Sequence, residues 1–228
     1  EVIQYLSNQK QWCPDGKISV FAPSYTAGMS LIACSKSSVR EKIKALCCVG
    51  TYANIESSLR YVLKKQNIDN YGRLILMKNF LPYVWEDNEL MQATDTAILD
   101  NGLKRKNAQL PKVLQRINPK SRLRFHQLDK EPEFRLEIMQ NAIKNYSASS
   151  ELMFELNVMD HASLLQGSVC LIHGRKDNVI PPSESRQLFR LLKQNGIDSH
   201  LEVTPLIDHG DAKYGPSVIA DAYRLINA

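Results

Sequence analysis

The sequence predicts an α/β fold built on a parallel sheet, and three observations carry that expectation. Two apolar runs, Ala45 to Val49 and Val169 to His173, are uninterrupted, as in strands covered on both faces. Strand-like runs are followed by helix-like periodicity three times along the chain. Between the second and third runs, from about Thr51 to Gln166, helical patterns replace strands altogether.

Taken in order, the first predicted strand, Ile18 to Ala22, leads into a helix marked by Ala27, Leu31 and Ile32. Ala45 to Val49 is the second strand and Val169 to His173 the third. Leu188, Phe189 and Leu192 then share one helix face, which stops at Asn195-Gly196. The fourth strand, Leu201 to Thr204, alternates Leu201 and Val203 with Glu202 and Thr204, the pattern of an edge strand. Pro216 opens a last helix with Ile219, Ala222, Tyr223 and Ile226 along one side. In the middle stretch Leu136, Met139, Ile143 and Tyr146 mark a helix face, and Asn70, Asn101-Gly102, Asn118-Pro119 and Pro132 punctuate the segment. The expected organisation is a core of residues 1–50 and 167–228, interrupted by a helical insertion over 51–166.

Composition narrows the function classes. The 228 residues are 43% hydrophobic and 23% charged, an ordinary globular balance. No stretch offers the ~18 apolar residues that a membrane-spanning helix needs, so no transmembrane segment is expected. The opening EVIQYLSNQK lacks the basic-then-apolar layout of a secretion signal. Cys13, Cys34, Cys47, Cys48 and Cys170 show no CxxC spacing and read as small core residues in a reducing compartment, so the expected location is cytoplasmic. His126, His161, His173, His200 and His209 lack metal-site spacing, and neither a metal nor a cofactor is expected.

A net charge of +5 is too mild to imply nucleic acid. The charge is uneven, however. Between Asp100 and Asp129 there is no carboxylate, while Lys104, Arg105, Lys106, Lys112, Arg116, Lys120, Arg122 and Arg124 are all cationic. This is a solvated basic surface or, read functionally, a weak contact with an anionic surface through Lys104–Arg124. Phe125 stands alone as an aromatic in the run, so a stacking platform for single strands is lacking.

Three positions carry candidate chemistry. Ser24 sits where the first strand runs straight into a helix, flanked at two residues' distance by the small Ala22 and Thr26. Such a bend pushes the hydroxyl out at the strand's carboxyl end, and the helix behind it offers backbone N–H groups to a developing oxyanion. Asp177 follows the strand-ending His173-Gly174, and His209 lies on the loop after the last strand. In an open parallel sheet the ligand crevice lies at the strands' carboxyl ends, so Ser, Asp and His reach one edge in that chain order. Asp208 and Asp211 are the alternatives to Asp177. Both flank His209 closely in sequence and so generally point away from its ring, which favours Asp177. His173 reads as structural, and Asp160-His161 as a cap on the next segment.

On these residues the segments Lys17–Ser35 and Ser168–Ala228 resemble the second half of an α/β-hydrolase. The resemblance includes the HG-x-x-D-x-x-x-P run from His173 to Pro181 and the late His209-Gly210. Glu1–Gln9 resembles the helix that precedes the nucleophile strand in that family. The resemblance implies Ser24 as nucleophile, His209 as general base and then acid, Asp177 as the group orienting His209, and the Tyr25 backbone N–H as an oxyanion-hole donor. The insertion corresponds in position to the family's cap.

Two departures accompany the likeness. The elbow pattern G-x-S-x-G is here Ala22-Pro23-Ser24-Tyr25-Thr26. The strands that precede the nucleophile strand in the family, and the loop giving the second oxyanion N–H, are missing. A bare edge at Ile18–Ala22 would be an aggregation liability. The expectation is therefore a fragment, a homo-oligomer or partner supplying the missing N-terminal half, or an insertion that covers the edge.

The expected function is a serine hydrolase that cleaves a small-molecule carboxylic ester or thioester through an acyl-enzyme on Ser24. Acyl transfer is a close variant, and a non-catalytic or impaired binding protein on the same fold is the alternative. Leu76, Phe80, Leu81, Val84 and Trp85 form either an acyl pocket or the insertion's own core.

Overall fold

The computed structural model describes residues 1–65, 70–103, 105–146 and 148–209. A short helix α1 (Val2–Ser7) precedes strand β1 (Ile18–Pro23), which passes directly into α2 (Ser24–Ser35). Strand β2 (Ile43–Val49) is followed by helices α3 (Ile55–Lys64), α4 (Asn70–Phe80), α5 (Asn88–Gly102), α6 (Leu110–Arg116), α7 (Pro119–Lys130), α8 (Pro132–Asn145), α9 (Ser149–Glu155) and α10 (Val158–His161). Strand β3 (Ser168–Gly174), α11 (Pro182–Gln194) and β4 (Ser199–Thr204) complete the described chain. The last helix expected from Pro216, and Asp211, lie outside the described residues.

The four strands form one parallel sheet in the order β1-β2-β3-β4. Each connection steps the same way across the sheet, so right-handed crossovers deliver their helices to one face. Helix α2 accordingly packs on β1 and β2, and α11 on β3 and β4. Val20, Ala22, Leu46, Cys48, Val169 and Leu171 share that face by the two-residue strand period. Against them α2 sets Ala27, Leu31 and Cys34, spaced four and three residues apart, and α11 sets Leu188 and Leu192. The strands match the apolar runs of the sequence, but among the described residues burial alternates along them: Leu46, Cys48, Val169 and Leu171 lie buried under the helices, whereas Ala45, Cys47 and Cys170 on the other face are half-buried.

The chain divides into two compact units. One comprises Glu1–Leu59 and the chain from Leu152 onward, the other Arg60–Glu151. The divisions fall inside the expected 51–166 insertion because segments at both its ends are tied to the sheet unit. The Glu184 carboxylate on α11 accepts the Ala53 and Asn54 N–H groups at 3.0 and 2.9 Å and the Ser57 hydroxyl at 2.6 Å. The Met159 N–H donates to the Ala53 carbonyl at 3.3 Å. Gly28 on α2 lets the buried Tyr52 ring approach, since a Cβ there would lie 2.3 Å from a ring carbon.

The second unit is helical and has its own core, with Leu74, Met77, Leu81, Leu90, Phe125, Leu128 and Met139 buried. The sequence's punctuation marks helix starts at Asn70, Asn118-Pro119 and Pro132 and the end of α5 at Asn101-Gly102. Asn118 caps α7 by accepting the Ser121 N–H at 2.9 Å, and Pro119 and Pro132 sit at the first positions of their helices. Arg135 is also buried, donating to the carbonyls of Leu63, Leu128 and Asp129, and burial pushes its guanidinium down to about 10. Trp85 stacks on Phe134 with centroids 5.7 Å apart. Arg124 lies 4.3 Å from the Trp85 ring centre and donates to Asp87 at 2.8 Å, so this member of the basic run is committed within the unit. Lys104 lies outside the described residues. Among the described residues, no helix is long and apolar enough to cross a membrane.

Candidate active site

The carboxyl ends of β1, β3 and β4 bring Ser24, Asp177 and His209 together. Ser24 is the first residue of α2, and its φ is +58°, the one positive value among the described non-glycine residues. A left-handed backbone costs a residue with a Cβ about 1–2 kcal/mol. That strain turns the strand sharply into the helix and lifts the hydroxyl clear of both. Ala22 is buried on one side of the bend. On the other, the Thr26 hydroxyl donates to the Pro23 carbonyl. The bend therefore forms without the two flanking glycines.

The Ser24 Oγ lies 2.9 Å from His209 Nε2. His209 Nδ1 lies 2.9 Å from Asp177 Oδ2 and 3.1 Å from Oδ1. A carboxylate only accepts hydrogen bonds, so Nδ1 carries the proton and Nε2 of the neutral ring is left as an acceptor. The serine O–H then donates to Nε2. This is the tautomer that a base needs in order to take a proton from the hydroxyl.

Asp177 is also held by the backbone of its own turn. Its Oδ1 accepts the N–H groups of Val179 and Ile180 at 2.8 and 2.9 Å, closing the turn after β3. Burial alone would raise this carboxyl. The nearby His173, the hydrogen bond from His209, the positive charge that His209 takes on when protonated and the Val179 N–H outweigh it and hold the group well below the ordinary carboxylate range. The site thus keeps a permanent negative charge behind the imidazole.

His173, expected to be structural, supports that carboxylate. Fully buried on β3, its Nε2 donates to the Ile180 carbonyl at 2.9 Å and stands 3.4 Å from Asp177 Oδ2. With Nε2 protonated, Nδ1 accepts the Ser185 hydroxyl at 2.6 Å. His173 therefore links the Asp177 turn to the first turn of α11.

Gly174 has a separate task. A Cβ there would meet the Ile207 carbonyl oxygen at 2.5 Å and the Asp208 carbonyl oxygen at 3.0 Å. The loop carrying His209 crosses directly over this glycine, which explains a strand ending in His-Gly. Gly174→Ala is expected to displace that loop. Misplacement of a catalytic group by about 1 Å can cost roughly 10²-fold in rate. Steady-state kinetics should show that loss in kcat, whereas an unchanged kcat would remove the loop crossing as the determinant of His209 position.

Tyr25 occupies the first turn of α2, where backbone N–H groups have no intrahelical acceptor. Its hydroxyl hydrogen-bonds Ser58 at 3.0 Å and its ring lies 5.6 Å from that of Tyr52. Burial pushes the Tyr25 phenol up, with Glu184 and Asp177 adding to the effect against the Ser58 bond, so it stays neutral. Glu184 and Tyr52 were not among the sequence candidates. A glutamate in a first helical turn looks like an ordinary helix-dipole partner, and nothing local marks a reach to residues 53 and 54.

Residues 112–227 match the sequence profile of the prolyl oligopeptidase family. The matched stretch includes Asp177 and His209, and Ser24 lies upstream of it. Among solved structures the chain is similar to an acylaminoacyl peptidase in complex with Z-Gly-Gly-Phe-chloromethyl ketone, at 16% identity over 99% of this chain and 25% of that one, with a TM-score of 0.49. An acylaminoacyl peptidase from Pyrococcus horikoshii is similar at 13% identity over 99% and 25% of the two chains, with a TM-score of 0.47. An α/β-hydrolase enzyme from a Medee basin deep-sea metagenome library is similar at 14% identity over 98% and 67%, with a TM-score of 0.44. The chain spans about a quarter of the length of the two acylaminoacyl peptidases. No curated protein matches it.

Proposed function

The chain belongs to the prolyl oligopeptidase family and thus to the α/β-hydrolase superfamily, and from that premise we propose that it is a serine hydrolase acting on peptide-type acyl bonds through Ser24. The observation that carries this reading is the continuous relay from the Ser24 hydroxyl through both nitrogens of His209 to Asp177. In this mechanism Ser24 Oγ attacks the scissile carbonyl carbon as its proton passes to His209 Nε2. Asp177 stabilises the imidazolium so formed. The Tyr25 backbone N–H, at the positive end of α2, faces the developing oxyanion. The tetrahedral intermediate collapses to the acyl-enzyme, and His209 returns the proton to the departing amine. Water then attacks the acyl carbon with the same imidazole as base.

The family match moves the preferred substrate from the ester or thioester expected on sequence grounds to a peptide bond. The acyl-enzyme step is common to both classes, and an ester is the less demanding substrate because its leaving group needs little help from a proton. A panel of short peptide anilides assayed beside acyl p-nitrophenyl esters separates them. Turnover of at least one peptide anilide, together with the esters, is expected. Ester hydrolysis with every peptide left intact would return the assignment to an esterase.

A further inference from the structure

The sheet face turned away from α2 and α11 holds a chemistry that the Ser24 relay does not use. Along this face the side chains of Phe21, Ala45, Cys47 and Cys170 line a cavity of about 210 Å³. Cys47 on β2 and Cys170 on β3 are register partners in the parallel pairing, so both Cβ atoms leave the same face side by side. Both thiols are free and half-buried. Both residues line the same cavity from neighbouring strands. Burial first, and then the neighbouring Cys170 sulfur, push the Cys47 thiol up. Cys48, one residue along, points to the opposite face and is fully buried.

Strand spacing decides what such a pair can hold. Neighbouring strands lie about 4.8 Å apart, whereas a disulfide draws its Cβ atoms to about 3.8 Å. The Cα separation falls within a disulfide's range of about 4.4–6.8 Å, but side-by-side Cβ atoms at the strand spacing must close by about 1 Å to form a direct S–S bond. A single bridging atom with bonds to sulfur of about 2.3 Å spans sulfurs about 4.6 Å apart when two-coordinate and linear, and about 3.5 Å apart when pyramidal. Softness then selects the atom, since thiolates prefer polarisable thiophilic centres to hard cations.

We propose that Cys47 and Cys170 form a two-sulfur chelate site for a soft thiophilic centre of the univalent-copper or trivalent-arsenic class, independent of the Ser24 chemistry. Binding replaces two S–H bonds with two bonds to the bridging atom, and the protons leave. With phenylarsine oxide as probe, two As–S bonds form, both thiol protons depart with the arsenic-bound oxygen as one water, and no atom changes oxidation state.

The test is intact-mass spectrometry of the native full chain treated with equimolar phenylarsine oxide and challenged with a monothiol or a dithiol. The expected result is one phenylarsenic group per chain that resists excess monothiol and is removed by 2,3-dimercaptopropanol. Cys47→Ser and Cys170→Ser should each lose that monothiol resistance by at least tenfold, and Cys13→Ser should keep it. Protection mapping on the wild-type chain answers the same question without variants. The bound arsenical should shield Cys47 and Cys170 together from iodoacetamide while Cys13 continues to react. Absence of an adduct on the wild-type chain, an adduct that survives Cys47→Ser, or protection at any other pair of cysteines would overturn the assignment.

Discussion

Replacing Asp177 with asparagine is expected to lower kcat by about 10⁴ with KM little changed. The reason is tautomeric rather than steric. The carboxylate accepts the Nδ1 proton of His209 at 2.9 Å, which leaves Nε2 free to take the serine proton. An asparagine amide can offer its NH₂ to Nδ1 instead, and the ring then carries its proton on Nε2, where it blocks the transfer. The same substitution has a stability signature. The Asp177 carboxyl titrates well below its ordinary value in the folded chain, so the unfolded chain binds the proton more readily. Its contribution to stability is present above the unfolded value of about 3.9 and is lost as pH falls through the lower folded value. Urea unfolding should therefore show the wild type more stable than Asp177→Asn at pH 7, with the gap narrowing once the pH drops below about 4. A pH-independent gap would place the effect in packing alone.

Removal of the Ser24 hydroxyl should be more severe. Ser24→Ala is expected to reduce kcat by about 10⁶, close to the loss of the whole relay, because its members act as one unit. Ser24→Gly should be equally inactive and yet more stable than Ser24→Ala, by about 1 kcal/mol, because only glycine takes a left-handed backbone without steric cost. The strain at φ +58° is the structural counterpart of that difference. Kinetics and thermal melts on the two variants test both halves. Equal stability would mean that the bend is held by its surroundings at no cost to position 24.

Much of the fold is legible in the sequence, because the apolar runs mark β2 and β3, whose Leu46, Cys48, Val169 and Leu171 must lie under helices. The observed β2 begins earlier, at Ile43, and β1 extends through Pro23, since pairing with a neighbour prolongs a strand beyond its apolar run. Ser24, Asp177 and His209 are also legible as three residues following three strands. What joins them is not. The Ser24 bend lacks its flanking glycines, and its left-handed φ has no local signature in Ala22-Pro23-Ser24-Tyr25-Thr26. Glu184 reaches Ala53, 131 positions earlier in the chain, and that link draws the start of the helical stretch into the sheet unit. Tyr52 is invisible for the same reason, since the space it fills is the absent side chain of Gly28. Local periodicity records which elements form, whereas contacts between distant segments set where the units divide and how the acid is braced.

The relay at positions 24, 177 and 209 is tested most directly by a fluorophosphonate, which loses fluoride as an activated serine oxygen bonds to phosphorus. The native chain is labelled, digested and mapped by mass spectrometry, with His209→Gln treated in parallel. A phosphonyl group on Ser24 is expected, with a labelling rate at least about 10³-fold lower in His209→Gln because the nucleophile has lost its base. An unlabelled wild-type chain, a label on another serine, or equal labelling of the His209 variant would contradict the relay.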